Sequence, residues 1–461
     1  MSKVIGIDLG TSKTMAFEYD DKTKQFYSLT QDEINGTPSI FCYSSVYGNT
    51  ELIGSKAINC LTLEPENVVT SIKTKLLGPA INVNDMMYEP KEIFDKLTCE
   101  QINEIKTKYQ LNHFFSEDVD EAVITVPISF GNEERKIYQE ILTKHHIKIK
   151  EMISEPSAAA LVLNEDHIIV IDIGAGTLDL TALTRKNGIY NVKDVYGNKL
   201  AGDKFDEVFM NYCIENGKLP KNMNSEDKQI ARFVIKEIKE KLSFHDTWTS
   251  KINFKYEPNC LINVTASDLE KALNDEFNKI VDVIQEFANK NKQFNQHILV
   301  TGRSCMIPAL QKRIREGLSN KYQLHFYDTS VIAKGAAIYA SQSSLIKNHM
   351  IQYSYYLEIV SNGHDILQQL VPAKVGLPYS KTINLRTTVD NGVSFSIYEV
   401  ENNKSEYLPI DIEKRLVENF LELKTCPANT PFNVMIHVDQ NGILSFKYDL
   451  LNEIKEKRYN I

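Results

Sequence analysis

Residues 170–179 read VIDIGAGTLD and residues 5–11 read IGIDLGT, so one short pattern occurs twice in this chain. In each copy an apolar run predicts a buried strand that ends at an aspartate, Asp8 or Asp172. The glycines that follow allow backbone N–H groups to approach an anion closely. Two such hairpins facing each other would hold a phosphate chain from both sides, with the carboxylates holding a hydrated divalent cation. The sequence therefore predicts a duplicated phosphate-binding fold.

The size and charge of the chain narrow the possible classes of protein. Its 461 residues exceed what one hydrophobic core usually supports, so two or more domains are expected. Of these residues 42% are hydrophobic and 25% charged, which is typical of a globular protein. The formal net charge of -9 disfavours non-specific attraction to nucleic acid or to anionic membranes. We therefore predict neither a nucleic-acid partner nor a membrane partner.

The cysteines and the amino end predict a reducing, cytoplasmic location. No two cysteines are close in sequence, so the pattern predicts neither a zinc site nor a disulfide framework. The chain runs from Met1 straight into the first predicted strand, which leaves no room for a signal peptide, and no apolar run reaches membrane-spanning length. The seven cysteines are Cys42, Cys60, Cys99, Cys213, Cys260, Cys305 and Cys426.

Strands and helices alternate from Val4 to about Ser344, which predicts an α/β architecture. Residues 122–127 read AVITVP, a buried strand that ends at a proline, and residues 132–145 are predicted to be helical. Another helix is predicted from Pro308 onward, because proline suits the first turn and apolar residues recur at helical spacing. Those apolar residues are Leu310, Ile314 and Leu318.

The pattern changes near residue 347. Residues 347–352 are mostly polar and predict a linker between a first domain, 1–346, and a second, 353–461. The second domain shows period-two alternation, for example at Phe432, Val434, Ile436 and Val438, which is typical of strands. Asn441-Gly442 between two such runs predicts a hairpin. The second domain is therefore predicted to be all-β.

Read in order, these motifs resemble the heat-shock 70-kDa (DnaK-like) chaperone family. The Asp8–Thr11 segment resembles its first phosphate loop, residues 122–127 its A-V-x-T-V-P strand, and residues 154–160 (SEPSAAA) its N-E-P-T-A-A-A connection. Residues 172–179 resemble D-L-G-G-G-T-F-D, and the carboxyl-terminal part is similar to the β-sandwich that grips extended peptides. The resemblance implies an actin-like, duplicated ribonuclease H-like ATPase domain followed by a β-sandwich, with ATP or ADP and Mg²⁺ as cofactors.

The resemblance also assigns roles to residues at the phosphate end. Asp8, Asp172 and Asp179 would hold Mg²⁺ largely through water, while Glu155 would orient the attacking water. Thr11 and Thr177 would bond the terminal phosphate, and Lys73 would lie near it, with Lys75 open as the alternative. The backbone and small side chains of Gly10, Ser12, Gly174, Ala175 and Gly176 would cradle it. The simpler interpretations are turn-forming aspartates, a surface Glu155 and an ordinary solvated Lys73.

The base end departs from the family pattern. The family's E-x-x-K-x-x-L-S appears here with Lys236 in place of the glutamate, followed by Lys239 and Ser243. The adenosine loop reads Gly302-Arg303-Ser304-Cys305-Met306, with Met306 where an arginine usually stacks on adenine. Gly202 belongs to an altered glycine pair, and Thr329 replaces an aspartate. We therefore expect ATP to bind more weakly than is usual for the family.

Three functions remain open from the sequence. The first is an ATP-hydrolysing chaperone that binds unfolded or extended apolar segments, with possible J-domain and nucleotide-exchange co-chaperones. The second is a nucleotide-gated regulatory module with one dedicated protein partner and weak or no ATPase activity. The third, a small-molecule kinase of the same superfamily, is disfavoured by the β module. We also expect no helical lid, since no helical segment follows the β module, and a coupling changed by the polar linker.

Overall fold

The structure is a computed structural model that describes residues 4–32, 36–114, 118–254, 259–292, 297–318, 320–342, 345–361, 364–388, 390, 392–400, 415–422, 427–450 and 453–457. The strands of the first part are β1 (Val4–Leu9), β2 (Lys13–Asp20), β3 (Gln25–Ser28), β4 (Thr37–Pro38), β5 (Phe41–Ser44), β6 (Thr50–Ile53), β7 (Val68–Val69), β8 (Ile81–Val83), β9 (Met86–Tyr88), β10 (Glu121–Val126), β11 (Lys148–Ser154), β12 (His167–Ile173), β13 (Leu178–Lys186), β14 (Ile189–Asn198), β15 (Thr247–Ile252), β16 (Cys260–Thr265), β17 (His297–Thr301), β18 (Gln323–Phe326) and β19 (Ile346–Lys347). They are followed by β20 (Ser354–Ser361), β21 (His364–Val371), β22 (Tyr379–Arg386), β23 (Gly392–Val400), β24 (Arg415–Glu422), β25 (Pro431–Val438), β26 (Leu444–Leu450) and β27 (Glu453–Lys457).

The helices all lie in the first part of the described chain. They are α1 (Cys60–Leu63), α2 (Pro90–Asn112), α3 (Asn132–Lys144), α4 (Glu155–Leu163), α5 (Gly202–Glu215), α6 (Ser225–Lys241), α7 (Ala266–Ala272), α8 (Asn274–Lys290), α9 (Pro308–Leu318) and α10 (Ser330–Ser341). Short 3₁₀ turns span Gly54–Ala57, Pro65–Asn67, Ile72–Lys75 and Arg303–Met306. None of the described helices is both long and apolar enough to cross a membrane.

Two six-stranded mixed sheets repeat one arrangement. The first has the order β11-β10-β1-β2-β3 with β4 beside β2, and the second the order β18-β17-β12-β13-β14-β19. In the first sheet β1 pairs antiparallel with β2 and parallel with β10. In the second, β12 pairs antiparallel with β13 and parallel with β17. The two copies of the repeated motif therefore occupy equivalent places in two similar sheets.

Small residues allow two helices to pack closely where the sheets meet. Helices α4 and α10 lie against each other, and a Cβ on Gly335 would come within 1.8 Å of the Ala158 carbonyl oxygen. A Cβ on Gly6 would come within 2.2 Å of the Ala337 backbone nitrogen, so α10 also lies against β1. Only glycine fits at these two positions. These contacts bring the hairpin of one sheet close to the hairpin of the other.

The predicted elements that were named from sequence are confirmed. The 122–127 run forms β10, and the 132–145 run forms α3. Helix α9 begins at Pro308, and its buried residues are Leu310, Ile314 and Leu318. The hairpin predicted at Asn441-Gly442 joins the antiparallel strands β25 and β26. Cys426 and much of the stretch between 401 and 426 lie outside the described residues.

Two four-stranded antiparallel sheets make up the described carboxyl-terminal part. Their orders are β21-β20-β23-β24 and β22-β25-β26-β27. Side chains from both sheets form one apolar core, which includes Tyr355, Leu357, Val434, Ile436 and Phe446. In β25 exposed and buried residues alternate strictly, as the period-two pattern predicts. This part of the chain is all-β.

The carboxyl-terminal part contacts the first part at helix α3. The Asn132 backbone N–H donates to Glu399 Oε2 at 2.9 Å, and its side-chain Oδ1 accepts from the Leu444 backbone N–H at 2.8 Å. Arg135 Nη1 donates to the Asn441 carbonyl at 2.9 Å. In the predicted linker, His349 is 7% exposed and Gln352 is 8% exposed. These two polar linker residues are therefore buried, whereas Lys347 and Asn348 are exposed.

Candidate phosphate and metal site

The two repeated hairpins face a common cavity, as the pattern predicted. Residues from both loops line it, together with side chains from β1, β12, α4 and the turn after β17. Predicted site residues that line the cavity are Asp8, Gly10, Thr11, Ser12, Lys73, Glu155, Asp172, Gly174, Ala175, Thr177, Gly302 and Arg303. The sequence reasoning did not assign Lys13, Met15 or Ile332 to this lining. The tertiary fold thus brings together residues that are far apart in the chain.

The second loop is shaped by hydrogen bonds to its own backbone and to neighbouring elements. The Gly174 N–H donates to the Thr177 carbonyl at 2.9 Å, which closes the turn. The Gly174 carbonyl in turn accepts from Ser304 Oγ at 2.7 Å and from the Gly202 N–H at 3.2 Å. A Cβ on Gly176 would meet Thr74 Cγ2 at 2.2 Å, so the loop lies hard against the first half of the chain. Ser304 and Gly202 hold the loop through its backbone.

The position of Gly302 cannot accommodate a side chain. Its φ is +95°, and a Cβ there would lie 2.3 Å from the Ile173 carbonyl oxygen and 2.5 Å from Asp172 Oδ1. Only glycine combines this backbone conformation with such a close approach. Gly302 therefore permits the chain after β17 to pass directly beside the Asp172 carboxylate.

Three aspartates converge in the buried part of the site. Asp8 is 8%, Asp172 3% and Asp179 0% exposed. Asp8 Oδ1 accepts from Thr125 Oγ1 at 2.8 Å, and Asp179 Oδ1 accepts from the Ile128 N–H at 3.1 Å. Among the described residues, no partner satisfies Asp172 Oδ1 or Asp179 Oδ2. Two buried carboxylate oxygens are thus left for a ligand.

The electrostatics of these carboxylates favour the binding of a cation at the site. Burial, with repulsion from Glu155 as the next cause, raises the pKa of Asp8 to about 6 and that of Asp179 to about 7. The same two causes raise the pKa of Asp172 well above its ordinary value, and Asp179 and Asp8 add to the effect. Burial and mutual repulsion make it unfavourable for these carboxylates to be ionised at the same time. A nearby metal ion would stabilise their ionised forms.

The residues present fit Mg²⁺. This hard cation prefers carboxylate oxygens and retains several waters, which suits two aspartates that line an open cavity, with Asp179 buried opposite Asp172, rather than a closed cage. Asp8, Asp172 and Asp179 would hold it, directly or through water. When bound, it would neutralise phosphate charge and orient the phosphate oxygens. The unpartnered oxygens of Asp172 and Asp179 are the observation that supports this fit.

Lys73 and Glu155 form a buried ion pair beside the aspartates. Lys73 Nζ lies 2.7 Å from Glu155 Oε1, and their side chains are 3% and 10% exposed. Burial lowers the pKa of Lys73, but Glu155, Tyr138 and Asp8 outweigh this and raise it above the ordinary value, so the lysine is cationic. The interpretations of a solvated Lys73 and a surface Glu155 are therefore wrong. Lys75 is exposed and donates to the Thr70 carbonyl instead.

Two aromatic residues that the sequence reasoning missed confine this lysine. Lys73 Nζ lies 5.5 Å from the ring centroid of Phe130 and 5.9 Å from that of Tyr138. The Tyr138 hydroxyl donates to the Leu9 carbonyl at 3.2 Å, so it also supports the first loop. Tyr138 lies on the buried face of α3, where its apolar spacing predicts only a core residue. A cation–π role cannot be seen from that spacing.

The predicted base-binding residues are arranged differently from the phosphate residues. Lys239 Nζ lies 2.6 Å from Asp206 Oδ1 and donates to the Gly202 carbonyl at 3.0 Å. The Ser243 hydroxyl donates to the Lys239 carbonyl at 3.3 Å. Met306 is 40% exposed and does not line the phosphate cavity. These side chains stabilise the second half of the first part internally.

A larger cleft of about 940 Å³ adjoins the phosphate cavity. Ser12, Lys13 and Arg303 line both spaces, so they mark the passage between them. Arg303 Nη2 lies 3.5 Å from Glu240 Oε2 across this passage, and both side chains are partly exposed. The cleft could admit a ligand much larger than a phosphate group.

Comparison with known proteins agrees with the repeated sheets and the β module. The Hsp70 protein family model matches residues 4–461. The chain is also 27% identical over 467 aligned residues to the chaperone protein DnaK of Mycoplasma mobile, spanning 96% of this chain and 75% of that protein. Proteins of this class are chaperones. The chain belongs to the Hsp70 family, which confirms the resemblance drawn from its motifs.

Proposed function

We propose that this chain is an ATP-binding, ATP-hydrolysing chaperone whose ATPase has the actin-like fold and whose β-sandwich binds extended apolar polypeptide segments. The first domain would span residues 1–346, the linker 347–352 and the β domain 353–461. ATP or ADP with Mg²⁺ would occupy the cavity between the repeated hairpins. J-domain and nucleotide-exchange co-chaperones are the partners that family membership suggests, and a cytoplasmic location remains the prediction from sequence.

The observation that carries this proposal is the convergence of Asp8, Asp172, Glu155 and Lys73 on one cavity, with the buried Asp179 directly opposite Asp172 in the β12–β13 hairpin. Hydrolysis of a phosphoanhydride needs charge neutralisation and positioning more than covalent chemistry. Lys73 would neutralise charge developing on the terminal phosphate. Glu155, which the lysine holds at 2.7 Å, would orient a water molecule for attack. Thr11 and Thr177, one on each loop, would donate hydrogen bonds to the phosphate oxygens.

A short path from the site to the β sheets supports nucleotide-dependent coupling. Asp179 accepts from the Ile128 N–H, and the neighbouring Ser129 carbonyl accepts from the Tyr353 hydroxyl at 2.5 Å. Asn132, three residues further, bonds both Glu399 and Leu444. A change in the charge or position of Asp179 would therefore alter hydrogen bonds within a few residues of the β module. Such a connection is what a chaperone or a switch requires.

The alternative is a nucleotide-gated regulatory module with one dedicated protein partner and weak or no ATPase activity. The base end favours it, because Lys239 and Ser243 take part in internal bonds rather than lining the cavities. Weak nucleotide binding would suit a sensor better than a cycling chaperone. The two functions share the phosphate site and differ in turnover and in the number of proteins bound.

The decisive experiment is steady-state phosphate release by the wild type, Lys73→Ala and Asp172→Asn. Loss of either charge should lower the rate by about 100-fold or more, because each acts where transition-state charge develops. Lys75→Ala is the matched control, since this lysine lies on the same turn but bonds Thr70, and it should retain at least about half of the activity. A Lys73→Ala protein as active as the wild type would refute the site.

Peptide-array binding separates the two functions. Binding of many unrelated apolar segments, with ATP-dependent release, would support the chaperone. A wild type that binds nucleotide without turnover, and that retains a single protein partner, would support the regulatory module. The array should be read with ATP and with ADP, because only a nucleotide-coupled β module changes its affinity between them.

A further inference from the structure

A second cluster of possible metal ligands lies away from the phosphate cavity. Cys42 lies on β5, Cys60 begins α1, and Glu64 directly follows α1. One ligand atom from each residue, the two Sγ atoms and a carboxylate oxygen, lies within 4.8 Å of the other two. Cys42 and Cys60 are 0% exposed and Glu64 is 3% exposed. We propose that these three residues form a binding site for a zinc-like divalent cation.

The Glu64 carboxylate is a buried anion. Burial raises its pKa, but hydrogen bonds from Ser44, Ser45 and Val46 outweigh this and lower it below the ordinary value. The Ser45 N–H donates to Glu64 Oε1 at 2.8 Å, and the Ser44 hydroxyl donates to Oε2. In the described part of the chain, no lysine, arginine or histidine forms an ion pair with this carboxylate. A divalent cation at the cluster would give this carboxylate a direct partner of opposite sign, while the two protons released by the thiols keep the net charge of the cluster unchanged.

The two thiols allow a divalent cation to bind without changing the net charge of the cluster. Burial raises the pKa of Cys42, and the neighbouring Cys60 and Glu64 raise it further, so the metal-free Cys42 thiol is protonated. Binding then replaces two protons by one M²⁺ ion: M²⁺ + 2 RSH → M(SR)₂ + 2 H⁺. The carboxylate charge remains as before. Affinity should fall by up to about 100-fold for each pH unit of acidification, because two protons compete with one metal ion.

The ligand types select a zinc-like ion rather than Mg²⁺. Thiolates are soft ligands that favour Zn²⁺ and Cd²⁺, whereas the phosphate site offers oxygen ligands only. At Zn–S distances of about 2.3 Å the two sulfurs of a tetrahedral site lie roughly 3.8 Å apart, so the ligand atoms would need to move by at most about 1 Å. Ser44 and Ser45 would hold the carboxylate in place. Three protein ligands leave a fourth position for a small exogenous ligand.

A metal ion at this cluster would affect the neighbouring cleft, because the cluster lies beside one of its walls. Cys42 and Cys60 pack in an apolar cluster with Ile40 and Val68, against which Phe233 of α6 lies from across the cleft. Leu61 belongs to the same group and lines the 940 Å³ cleft, as do Ile40 and Phe233. A cation that joins β5 to α1 would therefore stiffen one wall of that cleft.

The test is metal binding by the full-length chain, which does not depend on nucleotide turnover. Metal-free protein is titrated with Cd²⁺ while the thiolate-to-metal charge-transfer absorption is recorded, and zinc content is measured by elemental analysis after dialysis. We expect one equivalent per chain with absorption from two thiolates. Cys42→Ser and Cys60→Ser should weaken binding by at least about 100-fold, and Glu64→Gln by about 10-fold.

Cys213→Ser is the matched control, because Cys213 is equally buried and its pKa is raised to about 12, yet it lies on α5 outside the cluster. It should bind cadmium as the wild type does. Thermal unfolding of each metal-free variant, and a parallel Cys42→Ala variant, separates loss of ligand from loss of fold. Unchanged binding in folded Cys42→Ser, no stoichiometric uptake by the wild type, or a native Cys42–Cys60 disulfide would each overturn the proposal.

Discussion

The two copies of the repeated motif share a backbone and differ in chemistry. Asp8 lies opposite Met15 in the β1–β2 hairpin, whereas Asp172 lies opposite Asp179 in the β12–β13 hairpin. The second copy therefore supplies two buried carboxylates and the first supplies one. Met15 is 1% exposed and packs with Phe17 and residues of α10. The same position of the hairpin therefore holds a carboxylate in the second half and a methionine of the core in the first.

The two copies also differ in their contacts with the parallel strands beside them, β10 in the first sheet and β17 in the second. Asp8 is in register with Thr125, and Asp172 is in register with Thr301, so each aspartate has a threonine beside it. Thr125 donates to Asp8, but Thr301 donates to the Asp328 carbonyl at 3.1 Å. Asp172 Oδ1 is left without a partner in the described chain. A duplicated scaffold thus produces one carboxylate that is held in place and one that is available to a ligand.

The largest expected difference between the two copies of the motif is in how the free energy of unfolding depends on pH, because only the second copy carries Asp179. The pKa of Asp179 is raised to about 7 in the folded protein, so the folded state binds this proton more tightly than the unfolded state. The stability that this proton confers is present at low pH and is lost as pH rises from about 4 to about 7. In metal-free buffer, Asp179→Asn should remove about 2 kcal/mol of the loss of folding stability between pH 5 and pH 7.

The measurement is urea unfolding in a chelator at several pH values, with Asp365→Asn, an exposed carboxylate, as the control. Adding Mg²⁺ should oppose the trend, because the metal binds the deprotonated carboxylates. If the metal-free wild type became more stable between pH 5 and pH 7, Asp179 would not be a buried carboxyl group with a raised pKa.

The loss of phosphate-release activity should be larger for one of the two aspartates near the carboxyl ends of β1 and β12 than for the other. Asp172→Asn should lower phosphate release by about 100-fold, because Asp172 lines the cavity and its unpartnered oxygen is available to the metal. Asp8→Asn should cost about 10-fold, since an amide oxygen can still accept from Thr125. Both rates are measured with saturating Mg²⁺ and nucleotide. The reverse ranking would mean that the first copy, and not the second, provides the principal ligand.

The smallest effect should come from the threonines. Thr125→Val removes the hydrogen bond to Asp8, which should cost about 1–2 kcal/mol and weaken Mg²⁺-dependent nucleotide affinity by about 3-fold. Thr301→Val has a similar cost in stability, but it should leave that affinity unchanged because its hydroxyl bonds Asp328. Calorimetric titration measures the nucleotide affinity of both variants. Equal losses of affinity would show that the two threonines act only through packing.

Local patterns made much of the fold predictable. The alternation of apolar and polar residues indicated β25, and helical spacing after Pro308 indicated α9. Such patterns follow directly from the 2.0 and 3.6 residue periods of strands and helices. The repeated glycines and aspartates indicated the phosphate cavity for a similar reason, since a strand followed by a glycine turn places its end residues at one edge of a sheet.

Other features depended on contacts between distant segments. The choice between Lys73 and Lys75 could not be made from a local alignment, but Glu155 lies 2.7 Å from one and not from the other. Cys42 and Cys60 are far apart in the chain and predicted no metal site, yet β5 and α1 bring their sulfurs together with Glu64. Lys239 was predicted at the nucleotide, and the structure pairs it with Asp206.

The sequence by itself determined the family, the repeated Asp-Gly-Thr hairpins and the change from α/β to all-β structure, because each follows from local order along the chain. Only the tertiary structure decided which carboxylate oxygens lack partners, which lysine is buried, and which thiols meet. These properties depend on how much water and which opposite charges surround a group, and long-range packing sets both.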